Sequence, residues 1–145
     1  MLLLFLFLFV PATSDTLFVF NGAVTCHLNR PFNYHIQVVE EDVWYDDYIA
    51  AETFHEGKTS PSFYNITAMD GDDGWFNKYY EILFFVTHDC NSADLYKHLW
   101  VSLPVGLFEI NHGTHYRTFN FDLTDLGSSW NYNLGQKNGM QMIYY

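Results

Sequence analysis

The stretch 82-ILFFVTHDCN-91 decides how this chain folds, because it combines a wholly apolar run with a His-Asp-Cys ending. Residues 82–86 are apolar on both faces, which is typical of a strand covered on each side. Cys90 follows where that strand reaches the surface, and the only other cysteine is Cys26. Two cysteines placed in this way fit either a disulfide-stabilised secreted domain or a thiol enzyme.

The N-terminus predicts which compartment the protein occupies. Residues 2–10 are all Leu, Phe or Val, a run too short to span a bilayer as a helix. Pro11 ends the run, and small residues follow up to Ser14, so residues 1–14 are interpreted as a signal peptide cleaved after Ser14. No later segment is long and apolar enough to span a membrane. We therefore expect a secreted, extracellular protein.

An oxidising compartment also predicts the state of the cysteines. Cys26 and Cys90 are expected to pair there, and the loop that they close is worth about 4 kcal/mol. The competing thiol-enzyme hypothesis places His88 and Cys90 on one face of the strand, where a base could activate a thiolate. The secreted context and the single available partner favour the disulfide.

Composition bounds the size of the domain and its partners. Residues 15–126 are predicted to form one domain, followed by a C-terminal extension over residues 127–145 that shows no periodicity. The net charge is −11 with six Lys and Arg together, which disfavours nucleic acid and anionic membranes as partners. No cofactor is indicated. Asn65-Ile66-Thr67 is the one glycosylation sequon, and the sequence leaves open whether Asn65 is occupied.

Alternating apolar residues predict β structure in most of the domain. The pattern is clear in residues 24–28, 34–38 and 99–103, and it is cleanest in residues 118–123. Turn residues separate these runs at fairly regular intervals. Together they predict an all-β, antiparallel β-sandwich of about seven to eight strands. A short helix is plausible only in residues 47–54 and 94–98.

Metal-binding patterns in the sequence are weak. His112 and His115 have the spacing of a zinc ligand pair, but further convergent ligands are not evident. The acidic DGDDG at 70–74 resembles the start of a calcium loop, yet Trp75 takes the position that requires glycine. We therefore predict no metal site, and we interpret residues 70–74 as a solvated turn.

The order of these segments resembles the nematode transthyretin-like family of secreted proteins. The matching segments are GAVTC at 22–26, YHIQVVEED at 34–42, DDYIAAET at 46–53, FFVTHDCN at 84–91, WVSLP at 100–104 and TFNFDLTDL at 118–126. The resemblance implies a transthyretin-like β-sandwich. Many members carry a second cysteine pair that is missing here, so the chain looks like a divergent member.

The resemblance implies extracellular binding without catalysis, to an unknown protein or small ligand. The leading alternative is a transthyretin-type carrier of a small apolar ligand, which needs an oligomer. Transthyretin relatives that hydrolyse 5-hydroxyisourate end in Tyr-Arg-Gly-Ser, whereas this chain ends in Ile-Tyr-Tyr. The resemblance thus supplies no catalytic residues, and the oligomeric state stays open.

Aromatic residues in predicted loops are the candidate contact residues. Either a contact surface or core packing would account for them. They are Trp44, Tyr45, Tyr48, Trp75, Phe76, Tyr79 and Tyr80.

Overall fold

The computed structural model describes residues 15–41, 46–71, 78–93, 97–111 and 113–129, with the side chains of residues 51–53 left out. Nine β-strands and no helix occur in these ranges. The strands are β1 (Thr16–Thr25), β2 (Phe32–Glu40), β3 (Asp47–Lys58), β4 (Ser62–Asp70), β5 (Tyr79–His88), β6 (Leu99–Glu109), β7 (Thr114–Thr118), β8 (Phe121–Asp122) and β9 (Ser128–Ser129). The predicted all-β fold class is therefore confirmed.

The strands form two sheets. The four-stranded sheet has the order β4-β1-β7, with β8 also paired to β1; the five-stranded sheet has the order β3-β2-β5-β6-β9. The five-stranded sheet is antiparallel throughout, and so is the β1–β4 pair. β7 and β8 run parallel to β1, because the chain crosses to the other sheet after β6 instead of forming a hairpin with β1.

An aromatic core fills the space between the two sheets. Its side chains come from alternate positions of the strands, as in β4, where buried and exposed residues alternate from Ser62 to Met69. Rings of opposite sheets meet edge to face: Phe20 and Phe84 lie 5.3 Å apart, and Phe18 and Tyr80 lie 5.2 Å apart, centroid to centroid. Many of the aromatic residues thus pack in the core between the sheets.

One sequence prediction about secondary structure is wrong. Residues 47–54 belong to β3 and are not helical, because β2 supplies backbone hydrogen-bond partners along this segment. Register shifts on β3 accommodate the Ala-Ala-Glu stretch that favours a helix, and tertiary pairing overrides that local preference. Residues 94–96 of the other candidate helix lie outside the described residues.

The regular period at 118–123 does not form one continuous strand. β7 ends at Thr118 and β8 includes only two residues, although Phe119 and Leu123 still donate backbone hydrogen bonds to β1. Between them the Asn120 side chain accepts the hydrogen bond of the Ala23 N–H at 2.8 Å. A side chain therefore replaces a backbone carbonyl there and interrupts the strand.

Candidate interaction surface

The disulfide joins the two sheets at one end of the sandwich. Cys26 follows β1 and Cys90 follows β5, and their Cα atoms lie 6.0 Å apart. Both cysteines are buried, and neither is left as a free thiol. The expected pairing is therefore present, and the thiol-enzyme hypothesis loses its nucleophile. A disulfide of this kind is typical of oxidising compartments.

His88 supports the fold beside this disulfide. Its Nε2 lies 2.8 Å from the carbonyl oxygen of Leu126, which can only accept, so Nε2 carries the proton. Nδ1 is buried and has no hydrogen-bond partner. Burial lowers the pKa of His88, and the Leu126 carbonyl only partly opposes that effect. The side chain is thus a neutral imidazole that connects β5 to the chain after β8.

Polar side chains fix the loops around Cys90. The Arg30 guanidinium donates hydrogen bonds to the carbonyl oxygens of Asp89 and Asn91 at 3.1 and 2.6 Å. The Asn91 side chain donates to the carbonyl oxygen of Lys97 at 2.6 Å. Hydrogen bonds of Asp89 and Asn91 therefore connect the segment after β5 to Arg30 and Lys97.

The sequence predicts no metal site at His112, His115 or residues 70–74. His115 stacks on Phe18 with centroids 5.6 Å apart, and its Nε2 contacts the Glu109 carbonyl oxygen at 2.8 Å. His112 lies outside the described residues, as do residues 72–77 of the acidic turn. In the described ranges, no group of three or more His, Cys, Asp or Glu residues is arranged to hold a metal ion.

The predicted contact aromatics divide into three groups. Trp44, Tyr45, Trp75 and Phe76 lie outside the described residues. Tyr80 is buried and packs against Phe18 from the inner face of β5, so of the two alternatives core packing holds for this ring. Tyr48 and Tyr79 are each 46% exposed, on β3 and β5.

Tyr48 belongs to a larger apolar surface on the outer side of the five-stranded sheet. Tyr34, Ile36 and Val38 of β2 face the core, so the intervening β2 residues face outward. We call this surface the aromatic face and define it by its outward rings and the apolar residues between them. Its members are His35, Val39, Tyr48, Phe54, Leu83, Phe85, Trp100, Pro104 and Leu107.

Ring contacts connect strands across the aromatic face. Phe54 of β3 pairs with His35 of β2, and their ring centroids lie 5.9 Å apart. His35 Nδ1 lies 3.4 Å from Thr87 Oγ1 on β5. Phe85 is stacked under Trp100 of β6 at 5.5 Å. Thus Trp100 covers Phe85, whereas Phe54 at the opposite edge is 62% exposed.

A second apolar row lies toward the other end of the face. The register places Tyr48, Val39, Leu83 and Pro104 side by side on four neighbouring strands. Burial and the nearby Asp46 carboxylate raise the pKa of Tyr48, so its hydroxyl is neutral. Beyond this row lie both apolar side chains and carboxylates.

Leu107, 64% exposed, stands opposite Glu81, and Glu109 stands opposite Tyr79. The face thus has two rows with exposed rings, separated by Gln37, Phe85 and Ser102, and carboxylates border one end. Such a surface can desolvate aromatic rings against a partner while the border charges orient that partner.

Sequence reasoning missed the residues that extend the surface beyond Tyr48. The alternation that placed Tyr34 and Ile36 inside already implied an outward His35, because strand side chains alternate. Phe54 was missed because its segment has no strand period, so that a short helix is as plausible there as a strand. Trp100 and Phe85 require the β5–β6 register, which no local pattern gives.

The architecture defines a disulfide-containing all-β sandwich. No known family model matches this chain. It is 31% identical over 74 residues to an uncharacterised protein of Caenorhabditis elegans, and the match covers 51% of this chain. It spans 55% of that relative, so the similarity extends over about half of either protein. Across the part of the chain with described structure, no helix has the length and hydropathy needed to cross a bilayer.

Proposed function

We propose that this chain is a secreted, extracellular binding protein of the transthyretin-like family that acts without catalysis. The two-sheet sandwich agrees with the fold that the family resemblance implies. The Cys26–Cys90 disulfide supports passage through an oxidising compartment. The similarity to a protein of Caenorhabditis elegans agrees with a resemblance to a nematode family. The partner is a protein, and it binds the aromatic face.

The exposure of Phe54 and Tyr48 on the aromatic face is the observation that carries this proposal. Phe54 and Tyr48 leave much of their ring area in water, and each stands at the β3 end of a row of side chains that crosses the sheet. Rings placed in this way contribute most when a partner removes them from solvent, and aromatic residues are enriched among binding hot spots. Apolar clusters of this kind commonly mark contact sites.

The border of the face indicates the chemistry of the partner. Glu81 and Glu109 are exposed near Leu107, and Asp46 lies beside Tyr48. The chain as a whole carries a net charge of −11. A partner with apolar side chains at its centre and Lys or Arg around them would complement this arrangement, and association would slow as salt increases.

The test compares binding of face variants with a matched control on the other sheet. The purified protein is immobilised and used to capture proteins from extracellular fluid, and the affinity of each captured protein is then measured. A Phe54→Ser, Tyr48→Ser variant should weaken binding by more than about tenfold, because two exposed rings are removed. Met69→Ser removes an exposed apolar side chain from the four-stranded sheet and should leave affinity unchanged. Equal affinity of all three proteins would contradict the proposal.

A transthyretin-type carrier would use the same fold differently. That function needs a ligand site formed between subunits, so the purified protein would sediment as an oligomer. A monomer that captures its partner through Phe54 and Tyr48 supports the proposed binding function. An oligomer that binds a small apolar ligand, with no effect of the two substitutions, would support the carrier instead.

A further inference from the structure

The outer side of the four-stranded sheet has a different composition from the aromatic face. We call its part on β4, β1 and β7 the neutral face, because the described outward residues there include no charged side chain, in a protein with 17 Asp and Glu. Its members on β4, β1 and β7 are Phe63, Asn65, Thr67, Met69, Leu17, Val19, Asn21, Ala23, Thr114, Tyr116 and Thr118. These positions present apolar groups, hydroxyls and amides. Asp122 of β8 lies outside the neutral face, opposite Thr25.

Large apolar side chains stand exposed on the neutral face. Phe63 is 73% exposed, Tyr116 is 74% exposed and Met69 is 57% exposed. Polar groups lie between them: Asn65 pairs with Asn21, and the Asn21 side-chain oxygen accepts a hydrogen bond from Thr118 Oγ1 at 2.8 Å. An occupant with both apolar and hydroxyl-rich surfaces would match these groups.

The glycosylation sequon lies within this face. Asn65 is exposed on β4, and Thr67, which completes the sequon, is exposed two residues further along. Side chains two apart on a strand project to the same side, about 7 Å from one another. Phe63 is therefore on the same side as Asn65 and next to it. A sugar attached to Asn65 Nδ2 would lie within reach of the Phe63 ring.

We propose that Asn65 carries an N-linked glycan whose first N-acetylglucosamine packs on Phe63 and covers the neutral face. The C–H side of a pyranose is apolar and suits the face of an aromatic ring, while its hydroxyl and acetamide groups match Asn21 and Thr118. Transfer from a lipid-pyrophosphate oligosaccharide forms the bond from sugar C1 to Nδ2. The C1–O bond to pyrophosphate breaks, and Nδ2 loses one proton.

This assignment gives the two outer surfaces different occupants. The glycan, linked covalently at Asn65, covers the neutral face, and the aromatic face stays open to a protein partner. The inference needs passage through the secretory pathway and does not depend on the binding function proposed above. Charge distribution fits it, because the described outward positions of β4 and β1 around Asn65 and Phe63 carry no charge; the Asp122 carboxylate of this sheet lies on β8, across β1 from β4.

Secretion from eukaryotic cells tests whether Asn65 is modified. The intact mass of the secreted protein should include one glycan, and Thr67→Val, which keeps a β-branched side chain but removes the sequon, should lack it. Enzymatic trimming to one N-acetylglucosamine should leave Tm within about 1 °C of the untrimmed form, because only the first sugar packs on Phe63. The Thr67→Val protein should melt about 3 °C lower. Secretion with unmodified Asn65 would overturn the proposal.

Phe63→Thr tests the packing, with Met69→Thr as the matched control. For each variant, Tm is measured for the trimmed glycoprotein and for the same variant that also carries Thr67→Val and therefore lacks the glycan. The difference between these two Tm values is the glycan-dependent Tm difference. The glycan-dependent Tm difference should disappear with Phe63→Thr and persist with Met69→Thr, since Met69 lies beyond Thr67 on the same strand and face. A difference that survives Phe63→Thr would show that the sugar does not use this ring, which would also overturn the proposal.

Discussion

The Asp89 carboxylate binds Asn33 through two hydrogen bonds. One oxygen accepts the Asn33 backbone N–H at 2.8 Å, and the other accepts its side-chain amide at 2.6 Å. The Asn33 side-chain oxygen in turn accepts the Gly57 N–H at 2.7 Å. Asp89 therefore connects the end of β5 to β2 and, through Asn33, to β3. The central residue of His-Asp-Cys therefore has a structural role, as the acceptor of hydrogen bonds from Asn33.

Removing the Asp89 carboxylate should destabilise the fold. Asp89→Ala leaves two partly buried donors of Asn33 without an acceptor, and hydrogen bonds to a charged group are worth about 2 kcal/mol each. We expect a loss of about 3 kcal/mol in the free energy of unfolding, measured by urea denaturation. Glu56→Ala, at an exposed carboxylate of β3, should cost under about 0.5 kcal/mol. Equal costs would contradict the role assigned to Asp89.

Removing the disulfide should cost stability through the unfolded state. The cysteines are 64 residues apart, so closing this loop stabilises the fold by about 4 kcal/mol. Changing Cys26 and Cys90 to Ala together should lower the free energy of unfolding by about that amount. Thiol titration of the unmodified protein in denaturant should detect no free thiol. Detection of two thiols would contradict the pairing.

Stability should fall as the solution becomes acidic. Burial lowers the pKa of both His88 and His55, and the ring of His55 stacks on Tyr34 at 4.4 Å. Below the ordinary histidine pKa of about 6.5, the unfolded chain takes up protons that the folded protein does not bind. The free energy of unfolding therefore decreases as the pH is lowered. Each histidine contributes at most about 1.4 kcal/mol per pH unit in the window between its two pKa values.

His88→Gln tests this dependence, because its amide can still donate to the Leu126 carbonyl. Urea unfolding between pH 7 and pH 5 should show a shallower slope for this variant than for the unmodified protein. His55→Gln should remove the contribution of His55 to this slope, and the double variant should remove the contributions of both histidines. An unchanged slope in all three variants would refute the explanation.

Two glycines should respond to alanine for different reasons. A Cβ on Gly22 would collide with the Phe119 carbonyl, which also accepts the Tyr64 hydroxyl, so Gly22→Ala should cost about 3 kcal/mol. Gly57 has a φ of 57° and no atom within 4 Å of an added Cβ, so Gly57→Ala should cost about 1 kcal/mol. Thermal unfolding measures both. A larger loss at Gly57 would contradict the steric argument.

Substituting Trp100 and Phe54 should distinguish members of the aromatic face that stabilise the fold from members that are exposed. Trp100 covers Phe85, so Trp100→Ala should cost about 3 kcal/mol in unfolding free energy. Phe54 is largely exposed, and Phe54→Ala should cost under about 1 kcal/mol while weakening partner binding. A large stability loss at Phe54 would assign its ring to edge packing and remove it from the contact surface.

Much of the fold follows from local pattern. Alternation in residues 34–38 and the apolar run at 82–86 each predict a core strand, because side chains on a strand project alternately to two sides. The same reasoning failed at residues 47–54, where helix-favouring alanines form part of β3 through pairing with β2. It also made residues 118–123 one strand, although Asn120 interrupts the pairing with β1.

The sequence by itself determined the all-β class, the core strands and the pairing of Cys26 with Cys90, because periodicity and the number of cysteines are properties of the chain alone. Only the tertiary structure decided which strands are neighbours. Strand order and register are set by contacts distant in sequence. They therefore decide that Phe54, His35 and Trp100 share one outer face and that Phe63 and Tyr116 share the other.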